Sequence, residues 1–206
     1  MRPVGATGPL PRPTLDRGYD ARGFLFKTTD PLARVTTSTV DGLGRVLTVT
    51  NPAGDVSTTV YDAVGNTVVA TDPLGRRTVS SFDAMNRPVA VRAPSPSVGA
   101  QGPVTSMRYD AAGRLTATTD PLGHTSWKQY DRLGRLTSET DALGAAAGEA
   151  QHTTVTTYDL AGRVTTVTDE LGRSTVYGYD NLGRKTSLTQ PDPDGNGPLT
   201  LSLIHI

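Results

Sequence analysis

The 206-residue sequence predicts an all-β fold of tandem antiparallel β-hairpins joined into one long curled sheet. Three observations carry that expectation. An Asp followed three residues later by Gly, once by Asn, recurs at 20, 41, 62, 83, 110, 131, 159 and 180, at spacings of 21, 21, 21, 27, 21, 28 and 21 residues. A second corner stands ten residues past most of these Asps. Between corners lie about six residues rich in Thr, Val and Leu, a composition that suits strands about 20 Å long. A fixed unit is being copied.

The first corner of each unit reads aromatic, Asp, two variable residues, Gly and usually Arg. The aromatic is Tyr19, Tyr61, Phe82, Tyr109, Tyr130, Tyr158 or Tyr179, with Val40 the exception. The closing residue is Gly23, Gly44, Gly65, Gly113, Gly134, Gly162 or Gly183, and once Asn86. Asn tolerates the left-handed region better than other side chains, so the substitute itself says that this position has positive φ. Asp accepts hydrogen bonds from the backbone ahead of it, the middle residues take a type I turn, and the left-handed residue opens a bulge into the next strand. Each corner is thus a hairpin tip.

The second corners are Asp30-Pro31-Leu32-Ala33, Asn51-Pro52-Ala53-Gly54, Asp72-Pro73-Leu74-Gly75, Asp120-Pro121-Leu122-Gly123 and Asp169-Glu170-Leu171-Gly172. Pro at the second position sets φ for a type I turn. Ala33 stands where the others have Gly, so its corner is expected to be strained or of another type. Strands reverse at every corner, which puts first corners on one edge of a ribbon and second corners on the other. The expansions near 93–103, 141–152 and 190–198 all fall on the second edge. Loops lengthen cheaply where nothing abuts them, so the first edge is expected to be sterically constrained.

About sixteen strands at roughly 4.8 Å make a ribbon near 75 Å long, and open sheets beyond about ten strands curl, split or flatten. With 35% hydrophobic and 5% aromatic residues and no stretch patterned as a helix, the core must be thin. Cross-strand Thr and Val pairs and a stacked Tyr ladder are the expected stabilisers.

The paired motifs Tyr-Asp-x-x-Gly-Arg and Asp-Pro-Leu-Gly resemble the YD repeats of the Rhs family, which includes the toxin-complex shells and the teneurin YD shell. The likeness runs from residue 19 to about 198. It implies a sheet strip spiralling into a hollow shell, often around a C-terminal toxin domain, and a bacterial chain that is secreted or on the cell surface. Some relatives cleave themselves at an Asp pair near the end of the shell; only repeat-phase Asp-Pro dipeptides stand here, and no cleavage site is carried over.

Three segments follow: a Pro-rich lead-in over 1–18 with Pro3, Pro9, Pro11 and Pro13, the repeat region over 19–200, and a tail over 201–206. The lead-in reads as irregular and has no apolar run long enough for a signal peptide core. The tail, Leu201-Ser202-Leu203-Ile204-His205-Ile206, leaves the repeat phase, and one frame of a transposase-end sequencing adapter translates as those six residues. It is therefore expected to be non-native, with the chain a fragment of a longer protein.

Chemistry-bearing residues are few. Charges balance at 20 basic and 20 acidic, without a block suited to nucleic acid or an anionic membrane. Absent cysteines exclude disulfides and thiol catalysis. Arg45, Arg87, Arg114, Arg135, Arg163 and Arg184 follow the corner Gly, where they pair with Asps of neighbouring units or lie on the Tyr ladder; the alternative is a stacking stripe for glycans or nucleic acid. His124, His152 and His205 share no metal-ligand spacing, and His124 reads as a polar residue flanking a corner. Asp192-Pro193-Asp194-Gly195-Asn196-Gly197 fits half of a calcium loop, but Leu203 replaces the bidentate Glu, so a polar hairpin loop is the reading and calcium the alternative. Trp127 is expected to pack beneath the sheet and to face away from Tyr130. No catalytic, cofactor or metal residue is assigned. The expected function is a non-catalytic wall segment enclosing a downstream toxin or effector; the alternative is a surface adhesion or carbohydrate-binding module.

Overall fold

The computed structural model describes residues 14–97, 100–141, 152–191 and 199–202, and every regular element among them is a β-strand. The chain divides into two compact units, Met1–Asn86 with Arg92–Gly102, and Arg87–Val91 with Pro103–Ile206. In the first, β1 (Asp16–Tyr19), β2 (Leu25–Thr29), β3 (Val35–Val40), β4 (Val46–Thr50), β5 (Val56–Tyr61), β6 (Thr67–Thr71) and β7 (Arg77–Phe82) pair in sequence order, all antiparallel. After β8 (Pro88–Arg92), the second unit continues as β9 (Val104–Tyr109), β10 (Leu115–Thr119), β11 (Thr125–Tyr130), β12 (Leu136–Thr140) and β13 (Thr153–Tyr158). It ends with β14 (Val164–Thr168), β15 (Ser174–Tyr179), β16 (Lys185–Gln190) and β17 (Leu199–Ser202). From β9 to β17 each strand again pairs antiparallel with the next. Among the described residues there are seventeen strands, one more than the repeat count suggests.

Both edges use one corner. At Asp131 the backbone N–H bonds the Arg135 carbonyl at 2.9 Å, and the Gly134 N–H returns to the Asp131 carbonyl at 3.0 Å, with Gly134 at φ 84°. Asp120, Gly123 and His124 repeat this on the second edge at 2.9 and 3.1 Å. Ala33 does not change the turn type, contrary to one of the two expectations: its corner closes with the same bonds at 3.0 and 2.9 Å. The strain is real, because Ala33 is held at φ 60°. Even the expanded corner after β12 is pinched at its neck, where the Asp141 N–H bonds the His152 carbonyl at 3.0 Å.

The edges differ in one residue. Past each first corner in the two ladders the register slips: Tyr130 faces Leu136, but Gln129 faces Ser138, leaving Thr137 unmatched. The same slip occurs at Gly18/Tyr19, Thr39/Val40, Val60/Tyr61, Leu115/Ala117, Thr157/Tyr158 and Gly178/Tyr179. This bulge keeps the faces in phase. Two such corners without it would bring each residue opposite one 20 positions later, so a 21-residue unit would turn equivalent side chains to opposite faces. With it, Gly18 lies across from Lys27 and Lys27 from Thr37, which is 19 positions on. Each ladder therefore steps by two residues per repeat and keeps equivalent positions on one face.

The core is as thin as expected. Ala117 is the one buried hydrophobic residue among those described, and no larger side chain is fully covered. Cohesion comes from cross-strand pairs such as Thr39 with Thr48 and Thr140 with Thr153, hydroxyl to hydroxyl at 2.7 and 2.8 Å, and from Val60 opposite Val69. The lead-in is shorter than expected: β1 begins at Asp16, because the first corner needs a strand on each side. Residues 1–13 lie outside the described residues, as do Asp192–Gly197, Ile204 to Ile206 and most of the 141–152 expansion. Leu201 and Ser202 of the expected tail pair with Leu188 and Ser187.

Candidate functional site

The repeated chemistry of the chain is concentrated at the first corners, where each unit is fastened to the next. Asp131 shows the local half of the arrangement. Its Oδ1 accepts the backbone N–H groups of Leu133 and Arg135, both at 2.9 Å, and its Oδ2 accepts Nε of Arg135 at 2.6 Å. The Asp fixes the turn and the turn fixes the Arg. Arg135 then reaches forward to the next unit, donating from Nη1 to the Asp159 carbonyl at 3.2 Å and lying 4.5 Å over the Tyr158 ring. Tyr158 closes the circuit by donating its hydroxyl to the Leu136 carbonyl, next to Arg135, at 2.7 Å.

The same circuit joins Arg45 to Tyr61, Arg87 to Tyr109, Arg114 to Tyr130 and Arg163 to Tyr179, with guanidinium-to-ring distances of 4.6 to 4.8 Å. Of the two roles the sequence suggested for these Args, lying on the Tyr side chains is borne out, and pairing with the Asp of a neighbouring unit is not. The carboxylate is the Arg's own turn Asp; the neighbouring unit supplies a backbone carbonyl and the ring.

Exceptions to the consensus come in matched pairs. Val40 lacks the ring, and the preceding unit has Phe24 where Arg would stand. The Phe24 ring lies so close to Gly44 that a Cβ there would run into it, while Arg22 donates to the Asp41 carbonyl at 3.3 Å. Phe82 lacks the hydroxyl, and the preceding Arg is replaced by Asn66, which bonds Asp62 at 2.8 Å and Asn86 at 3.0 Å. Each partner changes when the other does.

The hydrogen bonds at the corners hold the carboxyls of Asp41, Asp62, Asp110, Asp131, Asp159 and Asp180 below their ordinary range. At Asp131 and Asp159 the backbone N–H of the Arg four residues on is the leading cause; partial desolvation opposes it and the guanidinium reinforces it. At Asp180 the Arg184 side-chain bond leads. At Asp41 desolvation is the largest influence and raises the value, but the bonds from Arg45 outweigh it.

The second edge has the local half alone. Arg34, Arg76 and Arg173 bond their own Asps at 2.6 to 2.7 Å but are 62, 60 and 58% exposed, against 29, 30, 27 and 32% for Arg45, Arg114, Arg135 and Arg163. The interlock is thus a feature of the first edge, and first-edge Args outside it, Arg22 and Arg184, are 50 and 56% exposed. Both edges also carry exposed apolar tips, among them Leu43, Leu74, Leu122, Leu133 and Leu182.

The remaining singled-out residues fall as follows. His124 takes the Arg position of its corner, Nδ1 lying 3.0 Å from Asp120 Oδ2. His152 meets Glu170 at 2.5 Å with Asp141 beside them, the three offering atoms within 4.8 Å of one another. Sequence spacing missed that group; the readable sign was Glu170 in a position usually held by Pro. Trp127 is not beneath the sheet: it is 45% exposed, since a single layer gives it nothing to pack under. It does alternate with the half-buried Tyr130, as their odd separation requires. The half calcium loop Asp192–Gly197 and His205 lie outside the described residues.

Corners of this kind, repeated and cross-fastened, define a tandem β-hairpin repeat protein. The family described as RHS Repeat matches residues 61–98, 97–125, 109–146 and 158–196, more than half of the chain, and the chain belongs to that family. Among solved structures it resembles a chain of the Photorhabdus luminescens Tc holotoxin pore bearing a mutation in TccC3, at 15% identity and a TM-score of 0.58 over 88% of this chain and 12% of that one. It also matches the crystal structure of TcdB2-TccC3-Cdc42, at 15% identity and a TM-score of 0.49, over 94% of this chain and 13% of that one. The chain thus spans about an eighth of the length of the solved chains it resembles. At this identity the first likeness shows a shared all-β repeat fold. No curated protein matches the sequence. The role that the repeats and the fold support is structural.

Proposed function

We propose that this chain is a non-catalytic wall segment of an Rhs-type shell, which encloses and presents a toxin or effector domain encoded downstream in the same polypeptide. The observation that supports this reading is the interlock. At five first corners the Asp holds the turn and its Arg, and that Arg lies over the Tyr of the next unit, a use of charged groups that fastens one hairpin to the next. Carboxylates committed at both oxygens to turn N–H groups and a guanidinium are poorly placed for acid/base chemistry. The family membership and the fold shared with a Tc holotoxin chain agree with a shell. The effector is the intramolecular partner in this reading, and the protein is secreted by, or displayed on, a bacterial cell. Among the described residues no helix is long and apolar enough to cross a membrane.

The complete polypeptide tests the reading. Its gene is expected to encode a further domain after the repeats, and limited proteolysis of the intact protein is expected to leave that domain protected until the shell is denatured. More repeats ending in a surface anchor, or a downstream domain digested as fast in the intact protein as alone, would overturn it.

A further inference from the structure

The first unit contains a concavity that the interlock does not use. It lies on the second edge, has a volume of about 620 Å³, and is formed by the corner at Gly75 and the expanded segment after β8. Arg76, Arg77 and Arg92 line it together with Ser95, Ser97 and Gln101.

Two of these Args break the repeat. At the first strand position after the other second-edge corners stand Val35, Val56, Val104, Thr125, Thr153, Ser174 and Leu199; here it is Arg77. In repeat phase, one residue before the corner Asp position, stand elsewhere Thr29, Thr50, Thr71, Thr119, Thr140, Thr168 and Thr189; here it is Arg92. The two exceptions and one expansion of the edge converge on the same hollow.

Their charge is unbalanced. Arg76 is neutralised by Asp72, with Nε 2.6 Å from Oδ2. Arg92 bonds the neutral Gln101 Oε1 at 2.5 Å, which leaves the Gln101 amide N–H groups as further donors. Neither Arg92 nor Arg77 has a carboxylate within ion-pair distance among the described residues, and no Asp or Glu lines the hollow. Two like charges facing one cavity repel unless an anion joins them. The neck of the loop is set by close backbone packing: a Cβ on Gly102 would fall on the Ala93 carbonyl oxygen.

We infer that this hollow binds a phosphate monoester of sugar size. A surplus of two positive charges matches the roughly −2 charge of such a group near neutral pH. Planar guanidinium forks suit its oxygens better than point charges do. The volume and the hydroxyl and amide lining accommodate a polar body behind the phosphate. The site is independent of the shell reading and stands or falls separately.

Isothermal titration of the whole chain with glucose 6-phosphate, inorganic phosphate and glucose tests the assignment. Glucose 6-phosphate is expected to bind, weakening as salt is raised, and glucose to give no signal. Binding of inorganic phosphate as tight as that of the ester would assign the site to the free anion; weaker binding assigns it to the ester. The R77Q/R92Q variant is expected to lose affinity by about a hundredfold, tenfold or more for each charged donor removed. Neither Arg belongs to the interlock, so circular dichroism of the variant should match the parent. No heat with the ester at millimolar concentration, equal binding of glucose, or unchanged affinity in a folded R77Q/R92Q would overturn the proposal.

Discussion

Replacing Arg114 and Tyr130, singly and together, measures what one fastening is worth. Arg114 lies 4.8 Å over the Tyr130 ring, donates to the Asp131 carbonyl at 2.9 Å, and Tyr130 donates to the Leu115 carbonyl at 3.0 Å. Tyr130→Phe removes only the last bond and is expected to cost about 1 kcal/mol, a loss the chain already tolerates at Phe82. Arg114→Met and Tyr130→Leu each remove the ring contact, and the double variant removes it once. The cycle should therefore show a coupling of about 0.5–1 kcal/mol, the range for a cation over a partly exposed ring. Urea unfolding of the four proteins, followed by circular dichroism, gives the number. Arg114 and Tyr158 do not touch, so the same cycle on that pair should be additive within about 0.5 kcal/mol. Coupling absent from Arg114 and Tyr130, or equally large for the distant pair, would refute the fastening as the unit of cohesion.

Three further outcomes follow from the corners. Ala33→Gly should stabilise the chain by about 0.5–1 kcal/mol in the same unfolding assay, because Gly accepts φ 60° without the Cβ penalty. Lowered carboxyl values at Asp131, Asp159 and Asp180 contribute stability that is fully present above the unfolded value near 3.8 and is lost as pH falls through the folded values. Acid titration should accordingly show loss of structure below about pH 4, and Asp131→Asn should flatten that dependence while lowering stability at pH 7. Four Gly/Ser residues inserted between Leu122 and Gly123 should cost about 0.6 kcal/mol in loop entropy together with the turn bonds of Asp120. The same insertion between Leu133 and Gly134 should cost clearly more, because it displaces Arg135 from Tyr158.

What the sequence revealed and what it hid divide along a physical line. Corners were legible because they depend on local requirements, Asp to accept turn N–H groups and Gly or Asn to take positive φ. Even Asn86, at φ 60°, was readable as the exception that gave the geometry away. That the Args lie on Tyr rings was legible, but which carboxylate each one holds was not, since that depends on turn geometry and strand register. A spacing of 21 does not state the β10–β11 register, in which Ala117 faces Trp127 and Arg114 comes level with Tyr130. Trp127 was misplaced for a related reason: its size suggested a buried position, but a single layer gives it no second layer to pack against. Ala33 shows the reverse error, a missing Gly suggesting a different turn where the flanking hydrogen bonds were strong enough to hold the usual one. Glu170 and Arg77 stand where the repeat varies, and variation marks a position without saying what it meets.

The two-residue step per repeat has a geometric consequence. Two residues rise about 6.8 Å along the strands for about 9.6 Å travelled across them, a slope near 35° and close to the lean of strands in closed barrels. A ladder prolonged with that slope has oblique borders, like a strip of paper cut on the bias. Each added copy shifts the ladder by the same two residues. Copies can therefore be gained or lost by duplication without turning their equivalent side chains to the opposite face.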